Sequence, residues 1–189
     1  MPSLNGSSPD GSQPGPVLLC DDGSVDAALA VTAAAVLLSA KQALVLHIWQ
    51  SPSVTIAAMA GSQPVAVQPE LDEQALQYAE GLARQAAERA TEAGFDARPL
   101  AVEAVGPTWQ VIIDVAHEHN AAVIVLGARG LSGVKHALLG SVSEKVVRHA
   151  ARPVLVQHPR PADPRVEGTR SYAETVLGTS ASPASADAG

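Results

Sequence analysis

Residues 121 to 130 read AAVIVLGARG, and the run continues to Ser141 as LSGVKHALLGS. Its first six residues are apolar without alternation, the pattern of a strand covered on both faces. The stretch from Gly127 to Ser141 then holds four glycines, two cations and no carboxylate. A helix-like segment, SVSEKVVRHAA, follows directly. A covered strand opening through glycine into a helix is half of a β-α-β unit, and the rest of the chain keeps that rhythm.

Upstream, PVLLC is a short strand ending in the turn DDGS. From Val25 to about Ala40 the chain reads as a helix apolar nearly all round, and so is expected to be covered on most sides. ALVLHIW (43–49) is a second strand, and Gln50 to Pro69 reads as a loop long enough to act as a lid. Leu71, Ala75, Tyr78, Leu82, Ala86 and Ala90 recur at helical spacing, which predicts an amphipathic helix ending near Gly94. RPLAVEA is a third strand, PTWQVIIDVAHEH a helix with Pro107 just inside its start, and PVLVQ a last strand. The pattern predicts an α/β fold: one open, five-stranded, mostly parallel sheet with helices on both faces, Rossmann-like. Residues 1–15 and 159–189, rich in Ser, Gly and Pro, read as disordered tails around a domain at 16–158. RSYAETVLG in the second tail is a candidate docking turn of helix.

Composition narrows the function. A net charge of −7 and a pI near 5.2 argue against nucleic acid as the partner. With 47% apolar and 3% aromatic residues, the core must be built from Ala, Val, Leu and Ile. A single cysteine, Cys20, excludes an internal disulfide and reads as a small core residue. The first residues have no basic and apolar signal pattern, and the longest uncharged apolar stretch, Ala27 to Ala40, is too short to span a bilayer. A cytoplasmic protein with no membrane partner is the expectation.

Charge is unevenly placed. Residues 127 to 152 carry Arg129, Lys135, Lys145, Arg148 and Arg152 against Glu144 alone, so this stretch is +4 and the remainder −11. A basic, glycine-rich loop running into a helix N-terminus suits an anion, because unpaired amides and the helix dipole both favour negative charge there. Glycines also let backbone amides approach a phosphate closely. The competing reading is purely local: Ser141 and Glu144 form S-x-x-E, a capping box that needs no ligand. No P-loop, early G-x-G-x-x-G or G-x-S-x-G elbow is present.

Gly127-Ala-Arg-Gly130, nine further residues and Gly140-Ser141 make G-x2-G-x9-G-S. This resembles the nucleotide signature of the universal stress protein family, in its ATP-binding branch. VLLCDDGS resembles the family's opening strand and turn, LVLHIW its second strand, and GSVSEKVVRHAARPVLV its last helix and strand. The resemblance covers about residues 16 to 158. It implies that Asp22 contacts the nucleoside portion of ATP and that the backbone of Ile48 frames the adenine. Gly127 and Gly130 would line the ribose and phosphate region. Gly140, Ser141, Val142 and Ser143 would meet the terminal phosphates through backbone amides and a hydroxyl, with Arg129 reaching phosphate and Mg²⁺ accompanying ATP. Family members are usually dimers paired through the final strand, here 153–157.

Asp21 departs from the family pattern, and strand alternation should point it away from Asp22. Lys135 reads as a solvated surface residue before a phosphate clamp. His117 and His119, two apart on a helix, face in different directions and cannot share a metal. His136 and His149 read as ordinary surface residues. His47 should find a backbone partner, and Trp49 and Trp109 read as packing residues.

The implied function is a nucleotide-dependent regulatory protein of the stress response acting on an unidentified protein partner, not a dedicated enzyme, with slow ATP hydrolysis at most. Rivals are an AMP- or cAMP-binding module, an electron-transfer-flavoprotein-like subunit holding FAD or AMP, and an adenylate-transferring or ATP-pyrophosphatase enzyme.

Overall fold

A computed structural model of the chain describes residues 15–61, 68–131 and 139–158. The tails apart from Gly15, with RSYAETVLG in the second, residues 62–67 and residues 132–138, with Lys135 and His136, lie outside the described residues. Five strands, β1 (Val17–Cys20), β2 (Gln42–Trp49), β3 (Asp96–Glu103), β4 (Val123–Gly127) and β5 (Val154–Gln157), pair in parallel throughout, in the order β3-β2-β1-β4-β5. The helices are α1 (Val25–Leu37), α2 (Pro52–Ala60), α3 (Pro69–Glu92), α4 (Thr108–Glu118) and α5 (Ser141–His149).

Strand alternation divides the core in two. Val17, Leu19, Ala43, Val45 and Val125 meet α1 and α3, whereas Leu18, Leu46, Ile124 and Leu126 meet α4 and α5. The expected open sheet with helices on both faces is therefore the architecture. From β1 the chain winds outward to β2 and β3, then crosses back to β4 and winds to β5. The order reverses between β1 and β4, and the crevice beyond their carboxyl ends is where such a sheet takes ligands.

Three helix expectations need correction. Only Ala27, Ala30, Val31 and Ala34 of α1, one stripe at helical spacing, join Asp26 in being buried, while Val25, Val36 and Leu37 are exposed. The uniformly apolar composition of α1 thus overstated its cover. In α3 the buried set is Ala79, Ala83, Ala86, Ala87 and Ala90, and Leu71 and Tyr78 face solvent. Small side chains let that helix lie close on the sheet, so the alanine stripe wins over the bulkier one. Finally, the 50–69 connection is not a plain loop, since it contains α2. Ser51 caps α2, accepting from the Val54 amide at 3.1 Å, and Pro52 opens it. Ser-Pro was a readable start signal.

The start of α4 differs from expectation by one residue, with Pro107 at the cap rather than inside the helix. Among the described residues no helix is long and apolar enough to cross a membrane.

Candidate functional site

At the reversal point lies a cavity of about 720 Å³, within the range of small-molecule sites. Asp22 and Ile48 line it, from beyond β1 and from β2. So do Gly127, Arg129 and Gly130, where β4 ends, and Gly140, Ser141, Val142 and Ser143 at the start of α5. All nine residues singled out in the sequence thus surround one space. The walls that sequence reading missed are mostly apolar: Leu46, Ile112 and Leu126, with Gln50 and Thr108 as polar additions. These positions looked like ordinary core or loop residues, and only the topology brings them together.

The start of α5 is left without a side-chain cap, and Gly140, in extended conformation, is the cap residue. The S-x-x-E capping box is therefore not formed: Ser141 lies inside the helix, and Glu144 pairs with Arg148 at 2.9 Å. Among the described residues, the amides of Ser141, Val142 and Ser143 have no acceptor. The Gly140 amide donates to the Ala128 carbonyl at 2.7 Å and holds this end of α5 beside the β4 exit. Ser143 is buried, and its hydroxyl donates to the Gly127 carbonyl at 2.9 Å. Of the two serines at this end, Ser143 thus has its hydroxyl engaged, and the hydroxyl left to meet a ligand is that of exposed Ser141.

Gly127 is where β4 and α1 touch. A methyl group there would stand 2.7 Å from both the Ala27 nitrogen and the Asp26 carbonyl carbon. A methyl on Gly130 would meet the Asp22 Oδ2 at 2.6 Å. Asp22 itself accepts from the Ser24 amide at 3.0 Å and from the Leu131 amide at 3.1 Å, tying the first turn to the glycine loop. Each carboxylate oxygen has a second lone pair left for a ligand hydroxyl. Arg129, expected to reach phosphate, already has a partner within the chain. Its Nε donates to Asp26 Oδ2 at 3.1 Å, a pairing 103 positions apart that no local motif announced.

Asp21 diverges from Asp22 as alternation requires. Its buried carboxylate pairs with Arg89 of α3 at 3.3 Å, and its carbonyl accepts from the His47 Nδ1–H at 3.0 Å. The expected backbone partner of His47 is thus the Asp21 carbonyl. Burial still raises the Asp21 carboxyl above the ordinary range, with Asp22 adding to the rise, although Arg89, His47 and a Gly23 amide pull the other way. Cys20 is half-buried in the cavity wall and not in the closed core. Burial, followed by the charges of Asp22 and Asp21, pushes its thiol well up, so the nucleophilic thiolate is disfavoured.

Trp109 stacks on His149 with ring centroids 5.0 Å apart, joining α4 to α5 in the packing role expected of it. His117 is exposed and His119 partly so.

Comparison with known proteins places this geometry. Residues 15–158 match the model of the universal stress protein family. Universal stress protein YxiE of Bacillus subtilis is 33% identical over 148 residues, covering 74% of this chain and 96% of that protein. Among solved structures, universal stress protein UspA from Lactobacillus plantarum superposes with a TM-score of 0.60 at 22% identity, over 77% of this chain and 99% of that one. A universal stress protein in complex with cAMP does so with a TM-score of 0.52 at 25% identity, over 76% and 97%.

Proposed function

Since the chain belongs to the universal stress protein family, we propose that it is a regulatory protein that binds an adenine nucleotide, ATP in the first instance, in the cavity between β1 and β4. One observation carries the reading: three residues at the start of α5, whose amides have no acceptor among the described residues, line the same cavity as Gly127, Gly130 and an apolar wall. The amides suit phosphate oxygens and the wall formed by Leu46, Ile48 and Ile112 suits a purine. The cavity is of the right size, and no Cβ intrudes at Gly130 or Gly140. Mg²⁺ would travel with the triphosphate and neutralise part of its charge.

The work proposed is regulatory, with slow hydrolysis at most. Fast phosphoryl transfer needs groups that orient a water and offset developing charge. Here Asp21 is paired with Arg89, Arg129 with Asp26, and the Ser143 hydroxyl with a backbone carbonyl. A mononucleotide, AMP or cAMP, is the second reading. It is favoured by the Asp22 carboxylate beside the glycine loop and by the structural relative solved with cAMP. A homodimer through the edge of β5 and a protein partner that reads the nucleotide state complete the proposal, with the cytoplasm as its setting.

The test is to denature the purified protein and identify any released nucleotide by chromatography and mass spectrometry, then to titrate ATP, AMP and cAMP calorimetrically. Gly130→Val with Ser141→Glu places bulk and negative charge where phosphate should sit. Nucleotide in the wild type and none in the double variant is the expected result. A wild type that carries none and binds none of the three would overturn the reading.

A further inference from the structure

On the premise that the cavity takes an adenine nucleotide, we propose that Asp26 is a specificity-determining residue for the phosphate end. By holding Arg129, it reduces the advantage a triphosphate has over a mononucleotide.

Arg129 is the single cation among the described residues that line the cavity. Its Nε lies 3.1 Å from Asp26 Oδ2, and the two side chains are 29% and 10% exposed, so the pair is largely shielded from water. The pair cannot drift apart easily. Gly127 brings the backbone of β4 against residues 26 and 27, and the Ser24 hydroxyl donates to the Arg129 carbonyl at 3.4 Å. Both the main chain and the head of Arg129 are therefore anchored on the first turn of α1.

A phosphate arriving here meets a cation that already has an anion. Two responses are available to the site. Arg129 can keep Asp26 and offer its remaining N–H groups, in which case the phosphate feels a nearly neutral pair. Alternatively, Arg129 can turn to the phosphate with two N–H groups, the stronger fork geometry, and leave a mostly buried carboxylate without its partner. Either way the carboxylate subtracts from the attraction, and it subtracts more for each further negative charge the ligand carries. Adenosine carries none, AMP about two and free ATP about four. Asp26 thus acts as a charge filter.

The experiment measures affinities of the full chain for adenosine, AMP and ATP at fixed low ionic strength with EDTA present. It compares the wild type with Asp26→Asn, which keeps an acceptor at the helix start, and Asp26→Ser, a second variant of different shape. The ratio of ATP to AMP affinity should rise about tenfold in both, with adenosine unchanged, and the rise should shrink as salt is added. Arg129→Gln should move the ratio the other way. A change in fold alone would shift all three ligands together and leave the ratio where it was. A ratio within twofold of the wild type in both Asp26 variants, with AMP still bound, overturns the filter and leaves the nucleotide site standing. If neither wild type nor variants bind AMP or ATP, the nucleotide reading itself falls, and the filter falls with it.

Discussion

Gly127 and Gly130 belong to one motif, yet their surroundings differ. At Gly127 an added methyl would collide with backbone atoms of residues 26 and 27, which cannot yield without moving α1 against the sheet. At Gly130 it would meet only the end of the exposed Asp22 side chain. Gly127→Ala should therefore cost roughly 2 to 3 kcal/mol of folding stability in urea unfolding, in the range of overpacking in a closed interior. Gly130→Ala should cost less than about 1 kcal/mol, the net worth of the displaced hydrogen bond, and weaken nucleotide binding instead. Equal losses would contradict this division of roles. The sequence offered one reason for both glycines, close approach to a phosphate, and could not show the contact that fixes Gly127. The reason at Gly127 is a contact with residues 100 positions earlier, and the same holds for Asp26 and Arg129. Asp22 was legible because its turn, D-G-S, is local: Gly23 has a φ of +79° and Ser24 caps α1 by accepting from the Ala27 amide.

Among the elements, α2 shows most clearly what hydrophobic periodicity cannot see. Its outer residues Val54 and Met59 are exposed, and of its residues only Ser53 is buried, so no apolar stripe announces it. Polar contacts hold it in place. Oδ1 of Asp72 on α3 accepts from the Ser51 hydroxyl at 2.8 Å and from the Ser53 amide at 3.0 Å. The Ser53 amide, with help from the Ser51 and Ser53 hydroxyls, holds the Asp72 carboxyl below the ordinary range. Its contribution is therefore present at neutral pH, above the unfolded chain's value. It is lost as pH falls through the ordinary carboxylate range and on through the lower folded value. Hydrogen exchange corrected for intrinsic rates should show α2 losing protection progressively as pH falls below about 5 while β1 and β2 keep theirs. In Asp72→Asn, α2 should already be less protected at pH 7 and change little on acidification. Unchanged protection of α2 in that variant would show that Asp72 does not hold the helix. By contrast, the five strands were legible to within a residue or two, because β1, β2, β4 and β5 each hold a short, mostly apolar run and β3 follows the turn at Gly94.

For the whole molecule, the alternation of strands and helices was enough to give the parallel sheet, and its reversal point explains why motifs more than 100 residues apart share one cavity. The strand order itself came from the structure, and it leaves β5 at an edge. The Ile124 and Ala128 amides donate to the Pro153 and Gln157 carbonyls, so in a parallel ladder residues 153, 155 and 157 face β4. The amides of Val154 and Val156 then point away from the sheet, on side chains that are only partly buried. An apolar edge with no partner strand among the described residues invites pairing with a second copy. Val156→Pro removes an outward donor and leaves the β4 ladder intact, as proline on an edge strand does. Light scattering after size exclusion should find a dimer for the wild type and a folded monomer for Val156→Pro. Leu155→Pro, which breaks the bond to β4, should destabilise the fold itself. A monomeric wild type, or a Val156→Pro variant that remains dimeric, would place any assembly of this protein on another surface.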